Sequence, residues 1–147
     1  MLAISVRQPW ASLLAMRKKP VENRSWATRF RGRVLIHASK GLTRIEYDDA
    51  IDFCTRRCGL DETYQHMLRF DNLQRGGIVG EMVISDCVTE HASPYFVGPF
   101  GFVAAQAREL EFTPVKGALS FFKPELPAGW VPRSPWTNKP LAALEAA

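Results

Sequence analysis

Ser5-Val-Arg-Gln-Pro-Trp10, followed nine residues later by Lys19-Pro-Val-Glu22-Asn-Arg24-Ser-Trp26, carries the densest structural signals in the chain. Just ahead of it, Leu2-Ala-Ile-Ser-Val6 predicts a short first strand. Pro9 can open a helix at its first turn, where its missing N–H costs nothing. Trp10, Leu13, Leu14 and Met16 then form an apolar stripe at roughly helical spacing, which predicts a helix running to Lys18. Pro20 stops that helix and forces Lys19 into an extended conformation. Val21 to Trp26 reads as a strand. Glu22, Arg24 and Trp26 share one of its faces, and Val21, Asn23 and Ser25 share the other.

Outward from this segment, Gly32 interrupts a basic turn (Arg29, Arg31, Arg33), and Val34-Leu-Ile-His-Ala38 is the next strand. Thr43-Arg-Ile-Glu46 is a capping box and predicts a helix to about Arg57, with Gly59 as its stop. Asp61 can cap a second helix through about Phe70. Residues 43–75 therefore read as a helical insertion between strands. Gly76-Gly77 opens a β segment, Ile78 to Val88, and Gly98-Pro99 precedes another, Phe100 to Phe112. Short strands are expected around Leu119–Phe122 and Trp130–Val131. Five of the ten prolines fall after residue 123, so the tail should be extended. The pattern predicts one α+β domain over residues 1–147, built on a small, partly closed β-barrel with flanking helices.

Length and composition agree with one domain. The 147 residues are 46% hydrophobic and 23% charged, a globular balance. No apolar run approaches the ~18–20 residues that span a bilayer, so no membrane partner is expected. The first residues lack the pattern of a signal peptide, which points to the cytoplasm. Three cysteines do not make a disulfide framework. Charge is uneven. Residues 1–44 hold ten basic side chains and one acid, Glu22, whereas the remainder is acidic on balance and the total is +4. A basic third suits an anionic partner such as a nucleic acid, although a solvated basic face would look the same.

Several chemistries have no support. There is no nucleophile elbow, no dinucleotide fingerprint and no phosphate-binding loop. Cys54, Cys58, Cys87 and His91 make a nominal zinc set. Two of these cysteines sit in an expected helix, the third ends an apolar strand, and free cysteines are commonly plain buried hydrophobes, so no metal and no cofactor are expected. The trio Lys19, Glu22 and Arg24 is more telling. A carboxylate flanked by two cations leaves those cations able to hold an anion or polarise a carbonyl. As an exposed ion-pair cluster it would be worth only ~0–1 kcal/mol and have no function. Glu81 interrupts the apolar run Ile78-Val-Gly-Glu-Met-Val-Ile84, and a carboxylate buried there needs a partner. Trp26, on the face of Glu22 and Arg24, can stack on a base. Trp10 and His37 read as core. Ser39 and Lys40, at a strand end, are placed to meet a ligand.

These same residues resemble the ASCH domain, a PUA-like superfamily. Its signature Gly-x-Lys-x-x-Glu-x-Arg is met at Lys19, Glu22 and Arg24, with Arg17 in place of the glycine. Phe30-Arg-Gly-Arg-Val-Leu-Ile-His37-Ala-Ser-Lys40 and Gly77-Ile-Val-Gly80-Glu-Met-Val are similar to further family blocks. The resemblance runs from residue 3 to about 117. It implies a small β-barrel with flanking helices and a cleft that binds RNA or a nucleotide-like molecule. One bacterial branch hydrolyses N4-acetylcytidine with a Lys, a Thr and a Glu. The Lys matches Lys19 and the Glu matches Glu81, but Glu22 stands where that branch has its Thr.

The leading expectation is thus RNA or modified-nucleoside binding. Lys19 and Arg24 would contact phosphate or a carbonyl. Glu22 would accept from a base edge. Gln8, Ser25, Trp26, Ser39 and Lys40 would complete the walls. If the protein is an enzyme, Lys19, Glu22 and Glu81 are the catalytic candidates for an N4-acylcytidine amidohydrolase, with a water nucleophile, or for a ribonuclease. A third class is a regulatory protein-interaction module using the acidic helical insertion.

Overall fold

A computed structural model describes residues 1–145. Six strands form one mixed sheet: β1 (Ala3–Val6), β2 (Val21–Arg24), β3 (Gly32–Ala38), β4 (Gly77–Val88), β5 (Phe100–Pro114) and β6 (Phe121–Phe122). Their order is β2-β5-β4-β3-β1-β6. Only β1 and β3 run parallel; every other pair is antiparallel. The long β4–β5 pair shifts register at three points, and β3–β4 shifts once between Ile36 and His37. Such bulges bend strands and tighten their twist. The sheet accordingly curls into a half-barrel, flanked by three short helices.

The first of these, α1 (Trp10–Ala15), is shorter than the stripe predicts. Its end is set by backbone reversal at Arg17, with φ of 63°, and not by Pro20. The amides of Lys18 and Lys19 both donate to the Leu13 carbonyl (3.0 and 3.1 Å), which turns the chain toward β2. Between β3 and β4 lie α2 (Arg44–Arg56), α3 (Glu62–Met67) and a 3-10 turn at Phe70–Asn72. The Thr43–Glu46 capping box opens α2, and the Asp61 carboxylate caps α3. α3 stops at Met67 instead of Phe70, and β2 stops at Arg24 instead of Trp26. No strand forms at Trp130–Val131; the tail makes one isolated bridge, Arg133 to Pro140.

Buried side chains fall into three groups. The inner face of the sheet packs Ile4, Val6, Ile36, Met82, Ile84 and Phe102 against Leu14 of α1. The outer face packs Ala3, Leu35, Ile78, Leu110 and Val115 beneath Phe122, Leu126, Trp130 and Leu141 of the tail. The insertion seats Cys54, Leu60 and Leu68 on Leu13, Val21 and Tyr95. α1 lies close on the sheet because Gly80 has no side chain. A Cβ there would sit 2.6 Å from the Ala15 Cβ and 2.7 Å from the Arg108 carbonyl oxygen. This contact sets where the residues after α1 emerge, and therefore where Lys19 lies.

Candidate ligand-binding site

A cleft of about 570 Å³ opens where the end of β1, the start of α1 and β2 converge. That volume is in the range of small-molecule sites, ~300–1,000 Å³. Its polar floor is the trio. Glu22 lies opposite Phe102 in the β2–β5 ladder and so faces inward. Its Oε1 accepts from the Lys19 ammonium at 2.8 Å. Its Oε2 accepts from Arg24 Nε at 3.1 Å and Nη2 at 2.9 Å. Arg24 Nη2 also donates to the Ser5 carbonyl at 2.7 Å, which ties β2 to β1 across the mouth of the half-barrel. Lys19 is 3% exposed and Glu22 6%, so this is a buried cluster and not a solvated one.

Aromatic rings make the walls. Trp10 meets Phe53 of α2 edge-on at 6.0 Å, and Phe53 meets Tyr95 at 6.3 Å. On the other side Trp26 packs edge-on against Phe102 and Phe121 of the inner core. The Lys19 ammonium lies 5.7 Å from the centre of the Trp10 ring. Asn23 points to the opposite face of β2 and clamps the 95–98 loop. Its Nδ2 donates to the Tyr95 carbonyl, and its Oδ1 accepts from the amides of Val97 and Gly98. At the rim Arg7 grips both carboxylate oxygens of Glu46, 2.9 and 2.8 Å, and pins β1 to the first turn of α2. The Arg7 guanidinium holds the Glu46 carboxyl below its usual range. Behind the wall, burial pushes the Tyr95 hydroxyl well above the ordinary tyrosine range and the Cys54 thiol up to about 11.

The cleft thus gathers Lys19, Glu22, Arg24, Ser25 and Trp26 from the sequence-derived candidates. Four others lie elsewhere. Gln8 is buried, but its amide is spent on the Ser12 hydroxyl and amide and on the Gln74 carbonyl, so it staples the start of α1. Ser39 donates its amide to Val6, and Lys40 lies exposed beside Gly76. Glu81 lies opposite Leu35, on the outer face of the sheet. There it is fully buried between Arg33 and Arg108, with Arg108 Nε donating to Oε2 at 2.8 Å. Glu22 and Glu81 cannot share one substrate, because the sheet separates them. Ser5, Arg7, Trp10, Phe53, Tyr95 and Val97 also line the cleft. Trp10 was hidden by its place on a helical stripe. Phe53 and Tyr95 carry no local signal, since only folding brings them beside β2.

The converging trio, set between aromatic walls at the mouth of a half-barrel, is the feature that the family resemblance implies. The ASCH domain family model matches residues 4–113. The chain belongs to the ASCH domain family. No curated protein matches it. The ASCH domain is a PUA-like family associated with RNA binding. This ASCH chain departs from the signature at Arg17, and its backbone shows why glycine suits that position. A φ of 63° is the left-handed region that glycine adopts freely and an L side chain only with strain. Arg17 keeps the turn, and its Nε donates to the Ala107 carbonyl. The match ends before the tail, which supplies the outer cover of the sheet. Among the described residues no group of three or more His, Cys, Asp or Glu side chains is placed to hold a metal, and no helix is long and apolar enough to cross a membrane.

Proposed function

We propose that this ASCH domain binds RNA or a modified nucleoside by taking one nucleoside unit into the Lys19–Glu22–Arg24 cleft. One observation carries the reading. Lys19 is almost fully buried, yet among the described residues only one of its three N–H groups has a hydrogen-bond partner, Glu22. A buried ammonium with unused donors beside a cleft is costly unless a ligand completes it. The aromatic walls supply stacking surface, worth ~1–3 kcal/mol per base. Three unpaired cysteines suit a reducing cytoplasm, where such a ligand is available.

Binding is better supported than hydrolysis. Glu22 already accepts three hydrogen bonds, which leaves it a poor general base. Glu81 is on the other face of the sheet. Among the described residues lining the cleft Glu22 is the one carboxylate, which supports binding over amide hydrolysis.

The test is a titration of the protein with a short single-stranded RNA, followed by the fluorescence of the cleft tryptophans. Lys19→Met should weaken binding ten- to hundredfold, the loss of a charge-assisted contact of ~1.5–3 kcal/mol. Thermal melting of the same variant checks that it is folded. Affinity should also fall only gently with salt, at ~0.7 in log units for each phosphate contacted. Equal affinity in Lys19→Met and the parent would remove the cleft from the binding site.

A further inference from the structure

We propose that Val97 is a ligand-contacting residue of the cleft, and that Asn23 is the positioning residue that holds it there. This rests on the binding reading above and deepens it by adding an apolar contact at the cleft mouth. Val97 lines the cleft, yet it is 67% exposed. Single exposed hydrophobics are ordinary on a protein surface. Met1, Ile45, Met67, Leu119, Val131 and Trp136 are others in this chain, and none of them lines the cleft. Val97 also differs in that the chain around it is fixed while its own side chain stays largely in solvent.

Three anchors do the fixing. Tyr95 is buried against Leu13, Val21 and Cys54. Phe96 lies over Gly101, where a Cβ would come within 2.8 Å of the Phe96 Cε1. Asn23 supplies the third. Its Oδ1 accepts from the Val97 amide at 2.9 Å and the Gly98 amide at 3.2 Å, and its Nδ2 donates to the Tyr95 carbonyl at 2.9 Å. One side chain of β2 thus holds the loop backbone on both sides of Phe96. A rim residue that is already ordered loses little entropy when a ligand covers it. Valine adds its own stiffness at χ1. Trp10, Phe53 and Tyr95 meet edge-on in series, and Val97, two residues beyond Tyr95, continues that apolar wall. An isopropyl group offers no hydrogen bond to a phosphate or a base edge. What it fits is carbon surface, the face of a base or the C–H side of a ribose, and covering it takes apolar area out of water.

Tryptophan fluorescence of the intact protein, titrated with a short mixed-sequence single-stranded RNA and with N4-acetylcytidine, tests both residues. Val97→Ala should weaken binding about three- to tenfold. Its thermal melt should match the parent's, because the side chain is exposed when no ligand is bound. Val97→Ile should bind as tightly as the parent. The loss in Val97→Ala should be the same at low and high salt, since an apolar contact is not screened. Asn23→Ala should weaken binding at least as much as Val97→Ala. Adding Val97→Ala to it should cost under about twofold more, because the residue it positions is already displaced. Unchanged affinity in Val97→Ala, or a loss that vanishes in high salt, overturns the contact while leaving the cleft as the binding site. Full additivity of the two substitutions overturns the positioning role of Asn23. A parent protein that responds to neither probe overturns this inference and the binding reading together.

Discussion

Lys19 and Glu22 show how burial changes what a charge pair is worth. As an exposed cluster the trio would contribute under ~1 kcal/mol. At 3% and 6% exposure that figure does not apply. Removing Glu22 leaves the buried Lys19 and the partly buried Arg24 with no counter-charge, and breaking a buried pair such as Lys19–Glu22 costs ~3–5 kcal/mol. Glu22→Ala should therefore lower the denaturation midpoint strongly, whereas Glu22→Gln, which keeps the side chain's volume and an acceptor oxygen for one of the two cations, should lower it less. A loss under ~1 kcal/mol for Glu22→Ala would show that the cluster is solvated after all. Glu109 is a second case. It lines a hollow with Met16, Tyr64, Met67 and Trp136, and burial pushes its carboxyl above the usual range. The two guanidiniums nearby, Arg17 and Arg108, are directed to the Ala107 carbonyl and to Glu81 and the Ala142 carbonyl. A raised folded pKa means that the native state holds the proton longer than the unfolded chain does. The penalty is absent below the unfolded carboxylate range, ~pH 4.3, and grows as pH rises through the raised folded value. Glu109→Gln should accordingly melt higher than the parent at pH 7 and level with it near pH 4. An equal difference at both pH values would show that the carboxyl is hydrated.

Elements in this protein are placed by close approaches more than by their own propensity. α1 has six residues, too few to be stable alone, and survives because Ala11, Leu13, Leu14 and Ala15 are all buried. Its contact with β4 needs Gly80, where a methyl group would meet the Ala15 Cβ and a backbone carbonyl, neither of which can swing aside. Gly80→Ala should cost ~1–3 kcal/mol through overpacking. Because α1 delivers the chain to Lys19, the same substitution should also weaken ligand binding in the tryptophan titration. Unchanged stability would mean that α1 can slide along β4 without consequence. The Gly77-Ile-Val-Gly80 block thus has a packing reason. The α2–α3 insertion, whose charges read as a solvated face, contributes Phe53 to the cleft wall and Glu46 to its rim.

Across the whole molecule, folding cancels part of the charge imbalance between the two parts of the chain. Arg7, Arg31, Arg33 and Arg44 pair with Glu46, Asp86, Glu81 and Asp48, all from beyond residue 44. What reads in sequence as a basic third is interrupted by these acidic partners. On the proposed reading, the positive charge that Lys19 and Arg24 hold in the cleft suits a compact ligand. The tail acts at the same scale. It lies beyond the matched family residues, yet it closes the outer face, with the Trp130 indole donating to the Thr113 hydroxyl at 3.0 Å and the Glu111 amide to the Arg133 carbonyl.

By itself the sequence determined the α+β class, the strand cores, the capping box that starts α2 and the trio at the centre of the cleft. Those features depend on neighbours within a few residues: period-two and helical patterning, a Thr–Glu capping pair, three charges within six positions. Only the tertiary structure decided the rest. It put Glu22 and Glu81 on opposite faces of one sheet, since ladder register and not sequence pattern fixes which face a distant residue shares. It drew Phe53 and Tyr95 beside β2 from positions 31 and 73 residues away from Glu22. It also turned an ion-pair cluster into a buried one. Burial is a property of the packed whole, and no stretch of chain carries it alone.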